Sequence, residues 1–227
     1  MSAGLLIPGA EGPGIFGKLP WLGDFVTRRL PRSFVDPWDD WLQRGMAATR
    51  DALGETWLDS FLTAPVWRFL LPAGSAGPAM AGLLMPSVDR VGRYFPLTLA
   101  SPLEADPGPE APLRAAAWFD VLERTALAAL DDATTPEAWE AAVEALGAPP
   151  LTEEEPAEIG EGWRGVPLSS ADGLGIAALR LDTAAARARF WTGPAAEGWY
   201  LAGDGLPPPQ AWPRAFMTAR FAMEPAR

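Results

Sequence analysis

"GPGIFGKLPWLGDF", residues 12–25, decides how the rest of the chain is read. Gly12, Gly14 and Gly17 satisfy the dinucleotide fingerprint G-x-G-x-x-G. Gly12 to Lys18 also matches a phosphate loop, G-x-x-x-x-G-K, with Leu19 where Ser or Thr would hold magnesium. Such a loop needs a buried strand before it, a helix after it and free backbone amides facing the anion. Pro13 has no amide, Leu5 to Ile7 makes a poor strand set too far upstream, and Pro20 and Gly23 stop a helix behind Lys18. The Rossmann reading fails because the glycines precede the expected strand instead of following it. The stretch therefore reads as a strand, Ile15 to Lys18, a turn at Gly23-Asp24, and a second extended run from Phe25 to Arg28.

Outward from there, Asp36-Pro37 marks a helix start, with Asp39 and Asp40 favouring the positive end of the dipole. Trp38, Leu42, Met46, Thr49 and Leu53 recur at helical spacing, with Trp41 widening the stripe; a shorter helix with Trp57, Leu58, Phe61 and Leu62 follows. Val66–Leu71, Ala81–Met85 and Phe95–Ala100 are apolar enough to be strands buried on both faces. Leu113 to Leu130 reads as a helix with Trp118, Val121, Leu122 and Thr125 on one stripe. Thr135-Pro136 caps the next, which carries Trp139, Val143 and Leu146. An acidic loop spans 148–162. Three strands, Ile176–Leu181, Arg187–Thr192 and Trp199–Ala202, then lead through "LPPPQ" to a last helix with Trp212 and Phe216. Helices set between groups of neighbouring strands predict an α/β layered fold around a mostly antiparallel sheet.

With 227 residues, 48% of them hydrophobic and 21% charged, one domain with a proper core is expected. Met1 to Gly12 lacks a basic start, so no secretory signal is expected. The chain has no Cys and no His. That removes thiol nucleophiles, disulfides, the usual zinc sites and every triad with an imidazole base. No cofactor or metal is expected, and a cytoplasmic address fits. The net charge of −11 comes entirely from residues 104–227, and Asp131 to Glu161 holds ten acids and no base. Nucleic acid is thus a poor partner. The acidic stretch is either a solvated helix face with a loop or a docking surface for something basic. Lys18 is the single lysine beside seventeen arginines, and its compact ammonium suits a pocket too small for a guanidinium.

Three blocks resemble the TagF family, also called ImpM, of type VI secretion accessory proteins: "FGKLPWLGDFVTRRLPRSFVDPWDDWLQRG" (Phe16–Gly45), "APVWRFLLPAG" (Ala64–Gly74) and "MPSVDRVGRYFPLTLASP" (Met85–Pro102). "ARFWTG" and "DGLPPPQAW" match the family more loosely, and Trp21-Leu22 departs from its usual small-then-basic pair. The resemblance implies a single three-layer α/β/α domain over 13–219: a family core at 14–147, the acidic loop 148–162, and C-terminal strands and helix at 174–219. It further implies a cytoplasmic regulator without catalysis that represses type VI secretion after translation, in some members by binding a forkhead-associated scaffold, Fha.

Two turns, Lys18 to Asp24 and Ser87 to Tyr94, hold charges beside glycines and aromatics. Lys18, Asp24, Asp89, Arg90, Arg93 and Tyr94 are therefore candidate partner-binding residues, and Arg28 and Arg29, with Arg32, form a second basic patch. A structural alternative has Asp24 and Arg93 pairing to pin the turns together, with the arginine patch merely solvated. The enzymatic alternative is a hydrolase using paired carboxylates, Asp24 with Asp89, one of which would need a raised pKa. A conventional phosphothreonine contact to Fha would need an exposed threonine, with Thr134 and Thr135 as options.

Overall fold

The computed structural model describes residues 12–108, 111–149, 157–160, 163–165, 188–192 and 200–217. In chain order the first half runs β1 (Gly14–Gly17), β2 (Val26–Arg28), α1 (Arg32–Leu53), α2 (Trp57–Leu62), β3 (Trp67–Leu71), β4 (Met80–Met85) and β5 (Leu97–Pro102). Then come α3 (Ala111–Arg114), α4 (Ala116–Ala128), α5 (Pro136–Ala145), β6 (Ala157–Gly160), β7 (Trp163–Gly165), β8 (Ala188–Thr192), β9 (Tyr200–Gly203) and α6 (Trp212–Ala215). Seven strands form one sheet in the order β2-β1-β5-β4-β3-β8-β9, with every neighbouring pair antiparallel. β6 and β7 pair separately.

Side-chain alternation along the strands fixes where the core sits. Trp67, Phe69 and Leu71 of β3 join Met80, Leu84 and Phe190 in a cluster with Phe34, Trp38, Trp41, Leu42 and Met46 of α1. Leu70, between them on the same strand, belongs to a second cluster with Leu83, Leu99 and Trp191, closed by Trp118, Phe119 and Leu122 of α4 and Trp139 and Val143 of α5. That is why β4 reads as an unbroken apolar run and β3 as one interrupted only by Arg68: all their residues are buried. Trp38 keeps its polar end satisfied by donating from Nε1 to Thr98 Oγ1 at 3.0 Å.

Four expectations need adjusting. α1 begins at Arg32, one turn before Asp36-Pro37, so Pro37 lies inside it. The amide that Pro37 lacks would have bonded Ser33, but the earlier turn buries Phe34 completely and Val35 nearly so, which offsets one missing bond. On α4 the buried stripe is Trp118, Phe119, Leu122 and Ala126, whereas Val121 faces outward. The larger Phe119 ring packs edge-on against Trp191, 4.7 Å between centroids, and rotates the helix accordingly. The predicted helix 113–130 is also split at Ala115. Finally, the acidic stretch 148–162 is not loop throughout, because β6 pairs with β7 once the three consecutive glutamates and Pro156 have been passed. The expected strand at 176–181 lies outside the described residues.

The C-terminal end is seated on α1. Trp212 of α6 lies so close to Gly45 that a Cβ there would stand 2.1 Å from its Cε2 atom. Trp41 Nε1 donates to the Pro207 carbonyl at 2.7 Å, holding the proline-rich segment over the same helix.

Candidate functional site

The glycines of the opening stretch are there for their neighbours. A Cβ on Gly12 would come 2.2 Å from the Val143 carbonyl of α5, and one on Gly14 would come 2.5 Å from Leu30 Cγ. Gly17 has a φ of 124° and lies against Pro96, whose carbonyl would be 2.1 Å from a Cβ. Backbone packing thus fills the space that a phosphate loop would leave for its anion. The chain turns after β1, Leu22 N to Leu19 O at 3.0 Å, and enters β2 where a phosphate loop would start a helix.

Lys18 points away from any such role. Its ammonium donates to Asp89 Oδ2 at 2.5 Å and lies 4.4 Å from the centroid of the Phe25 ring, with Lys18 and Asp89 only 4% and 3% exposed. Asp89 accepts three further bonds: Val91 N at 3.0 Å and Arg93 N at 2.9 Å on Oδ1, and Arg93 Nε at 2.7 Å on Oδ2. Burial alone would push the Asp89 carboxyl up. The bonds from Lys18, Arg93 and Val91 outweigh it and hold the carboxyl well below the usual carboxylate range. Gly92, at φ 85°, allows the turn to fold its amides onto that carboxylate.

The same junction stitches the two predicted turns together. Ser87 Oγ donates to the Lys18 carbonyl at 2.8 Å, Arg90 N donates to the Leu22 carbonyl at 2.9 Å, and Arg93 donates to the Gly23 carbonyl. Asp24, expected to pair with Arg93, is 3.9 Å from it and wholly exposed, so the pin is Lys18–Asp89–Arg93 and Asp24 only borders it. Tyr94 is half-buried against Trp57 and Phe61 of α2, with ring centroids 6.4 and 6.0 Å away.

Arg28 and Arg29 lie apart from this cluster. Arg28 pairs with Glu140 and Arg29 with Glu144 at 2.9 Å, both on α5. Arg29 also donates from Nε and Nη2 to the Pro13 carbonyl at 3.2 and 3.1 Å, which steadies its positive φ of 56°. Part of the acidic excess therefore faces this basic patch within the chain. Thr135 is occupied as the cap of α5, accepting from Ala138 N at 3.3 Å.

Sequence reasoning missed the apolar members of the site. Phe25 is 50% exposed although it is held in place by Lys18 and by Phe95, whose ring centroid is 4.9 Å away; Val91 is 64% exposed on the facing turn. Their signal was present as two apolar residues placed within otherwise polar turns, "GDF" and "DRVGR". The exposed part of the site thus presents Phe25, Val91, Arg90, Arg93 and Asp24 on a buried ionic base.

An antiparallel seven-stranded sheet whose β1 and β4 lead into interlocked charged turns defines a mixed helix-and-strand protein of one recognisable kind. The sequence profile described as TagF N-terminal domain, type VI secretion system-associated, matches residues 14–146. The chain belongs to the TagF N-terminal domain family. It is also similar to the crystal structure of PA0076 from Pseudomonas aeruginosa PAO1, determined at 2.05 Å, with 38% identity and a TM-score of 0.73 over 95% of this chain and 98% of that one. A comparison with curated protein sequences returned no match.

Proposed function

We propose that this chain is a non-catalytic accessory protein that restrains type VI secretion after translation by binding a protein of the apparatus, an Fha-type forkhead-associated scaffold, in the cytoplasm. Its family association with type VI secretion supports the setting. The observation that carries the binding role is the junction itself: a buried Lys18–Asp89 pair, capped by the exposed Arg93, beneath Phe25 and Val91, which stand exposed. Rigid exposed apolar side chains ringed by arginines have the make-up of interface anchors, because little ordering remains to be done on contact. α1 in one core cluster and α4 with α5 in the other support the three-layer α/β/α reading of the scaffold. Among the described residues no helix is long and apolar enough to cross a membrane.

The hydrolase alternative draws no support from the same geometry. A general acid needs a raised pKa, whereas Asp89 is held low and already accepts four bonds, and Asp24 stands open to solvent.

Overproduction in the native host, with secreted type VI components measured, tests the reading. Secretion is expected to fall with the wild-type chain and to persist with Phe25→Asp, and pull-down with the wild type is expected to bring down the Fha-type scaffold. Unchanged secretion at high levels of the wild-type chain overturns it.

A further inference from the structure

Carboxylates of the chain itself answer Arg28, Arg29, Arg44 and Arg68. Arg90 is different. It is exposed, and its guanidinium meets no acceptor among the described residues. Its amide is held by the Leu22 carbonyl at 2.9 Å, and its Nη2 lies 3.6 Å from where a Cβ on Gly23 would stand. Arg93 reaches the same glycine from the other side of the turn, donating from Nη2 to the Gly23 carbonyl and from Nε to Asp89. Its side chain is 55% exposed.

Two guanidinium groups therefore converge on one glycine, where like charges repel unless an anion lies between them. The chain offers only Asp24, wholly exposed and 3.9 Å from Arg93. The complement of such a pair is a carboxylate, whose two oxygens suit the planar donor fork of arginine. Apolar surface stands beside it: Phe25, two residues after Gly23, is 50% exposed, and Val91, next to Arg90, is 64% exposed. Leu127 and Leu130 are exposed as well, but Asp131 and Asp132 follow them and give that patch the opposite sign. The net charge of −11 repels extended polyanions such as nucleic acid, so the fitting anion is local and carried on a polypeptide with apolar side chains.

We propose that the Gly23 junction receives an acidic segment of the partner protein, one carboxylate bridging Arg90 and Arg93 while a neighbouring apolar side chain covers Phe25 and Val91. This rests on the binding role proposed above and adds the chemistry of what is bound. Charge complementarity of this kind sets the register and speed of docking, and the apolar contact supplies the anchor.

The test is titration of the full ¹⁵N-labelled chain with three capped hexapeptides. The first carries leucine and phenylalanine between glutamates, the second replaces the glutamates by glutamines, and the third replaces the two apolar residues by serines. The first is expected to shift the Arg90 Nε–H signal and the amides of Gly23, Phe25 and Val91 saturably, and to bind at least tenfold more tightly than either other peptide. Arg90→Gln, a change confined to an exposed side chain, is expected to weaken it about tenfold, the worth of one charge-assisted hydrogen bond. Half-molar salt is expected to weaken it further. Signals unmoved at millimolar peptide, equal binding of the glutamine peptide, or full affinity in Arg90→Gln overturns the proposal. Repression of secretion by a chain that ignores the acidic peptide would sink this inference and leave the regulatory role standing; peptide binding by a chain without effect on secretion would do the reverse.

Discussion

Two ionic contacts tie neighbouring elements of this protein together, and they differ in almost everything except charge. At the Lys18–Asp89–Arg93 junction the carboxylate is shut away from water and accepts four bonds. At the end of β2, Arg28–Glu140 and, one residue on, Arg29–Glu144 make links to α5 at the surface, with side-chain exposures of 40%/28% and 16%/59%. A buried ion pair is rarely a source of net stability, but breaking it leaves a stranded charge, so it enforces one geometry. An exposed pair is screened and costs side-chain entropy, so it guides more than it fixes. The difference explains why the two turns form a rigid platform, while the acidic face of α5 is only softly attached to its basic neighbours.

The sharpest way to break the comparison is to remove the buried partner. Asp89→Ala strands the Lys18 ammonium and is expected to lower the thermal midpoint by about 10 °C. A shift near zero would make the two contacts equivalent. Acid sharpens the contrast next. A carboxyl whose pKa is lowered on folding contributes stability in full above the unfolded value, about 4, and loses it as pH falls through the folded value. Urea midpoints of the wild type are therefore expected to fall more steeply than those of Asp89→Asn between pH 5 and 2; parallel curves would contradict the low carboxyl. The smallest effect belongs to the surface. Glu140→Gln with Glu144→Gln is expected to cost about 1 kcal/mol or less in urea denaturation, and molar salt is expected to erase the difference. A larger, salt-independent loss would mean that α5 is fixed to β2 as firmly as the turns are to each other.

Much of the scaffold was legible along the chain because local chemistry and global burial agree there. The apolar runs of β3 and β4, the Trp38–Trp41–Leu42 stripe and the Thr135-Pro136 cap each state their own outcome. Disagreement between levels marks the places that were not. Asp36-Pro37 is a sound local helix start, yet burial of Phe34 and Val35 pulled the helix one turn earlier. On α4 the choice between Val121 and Phe119 depended on Trp191, more than seventy residues away in sequence. The site was half legible: two charged turns could be picked out, but which charges would be buried could not.

By itself the sequence determined that thiol and imidazole chemistry are closed to this chain, since it has neither residue. It also determined that the glycine-rich start would not cradle a phosphate, since proline and the missing helix forbid it. Tertiary structure alone decided that Lys18 meets Asp89 across 71 positions, that Asp24 is left outside, and that Phe25 stands exposed above them. The reason is that a charge's partner and its burial depend on which distant segments the sheet order brings together. β1 and β4 are separated by β5 in that order, and no spacing along the chain records the approach of the turns that follow them.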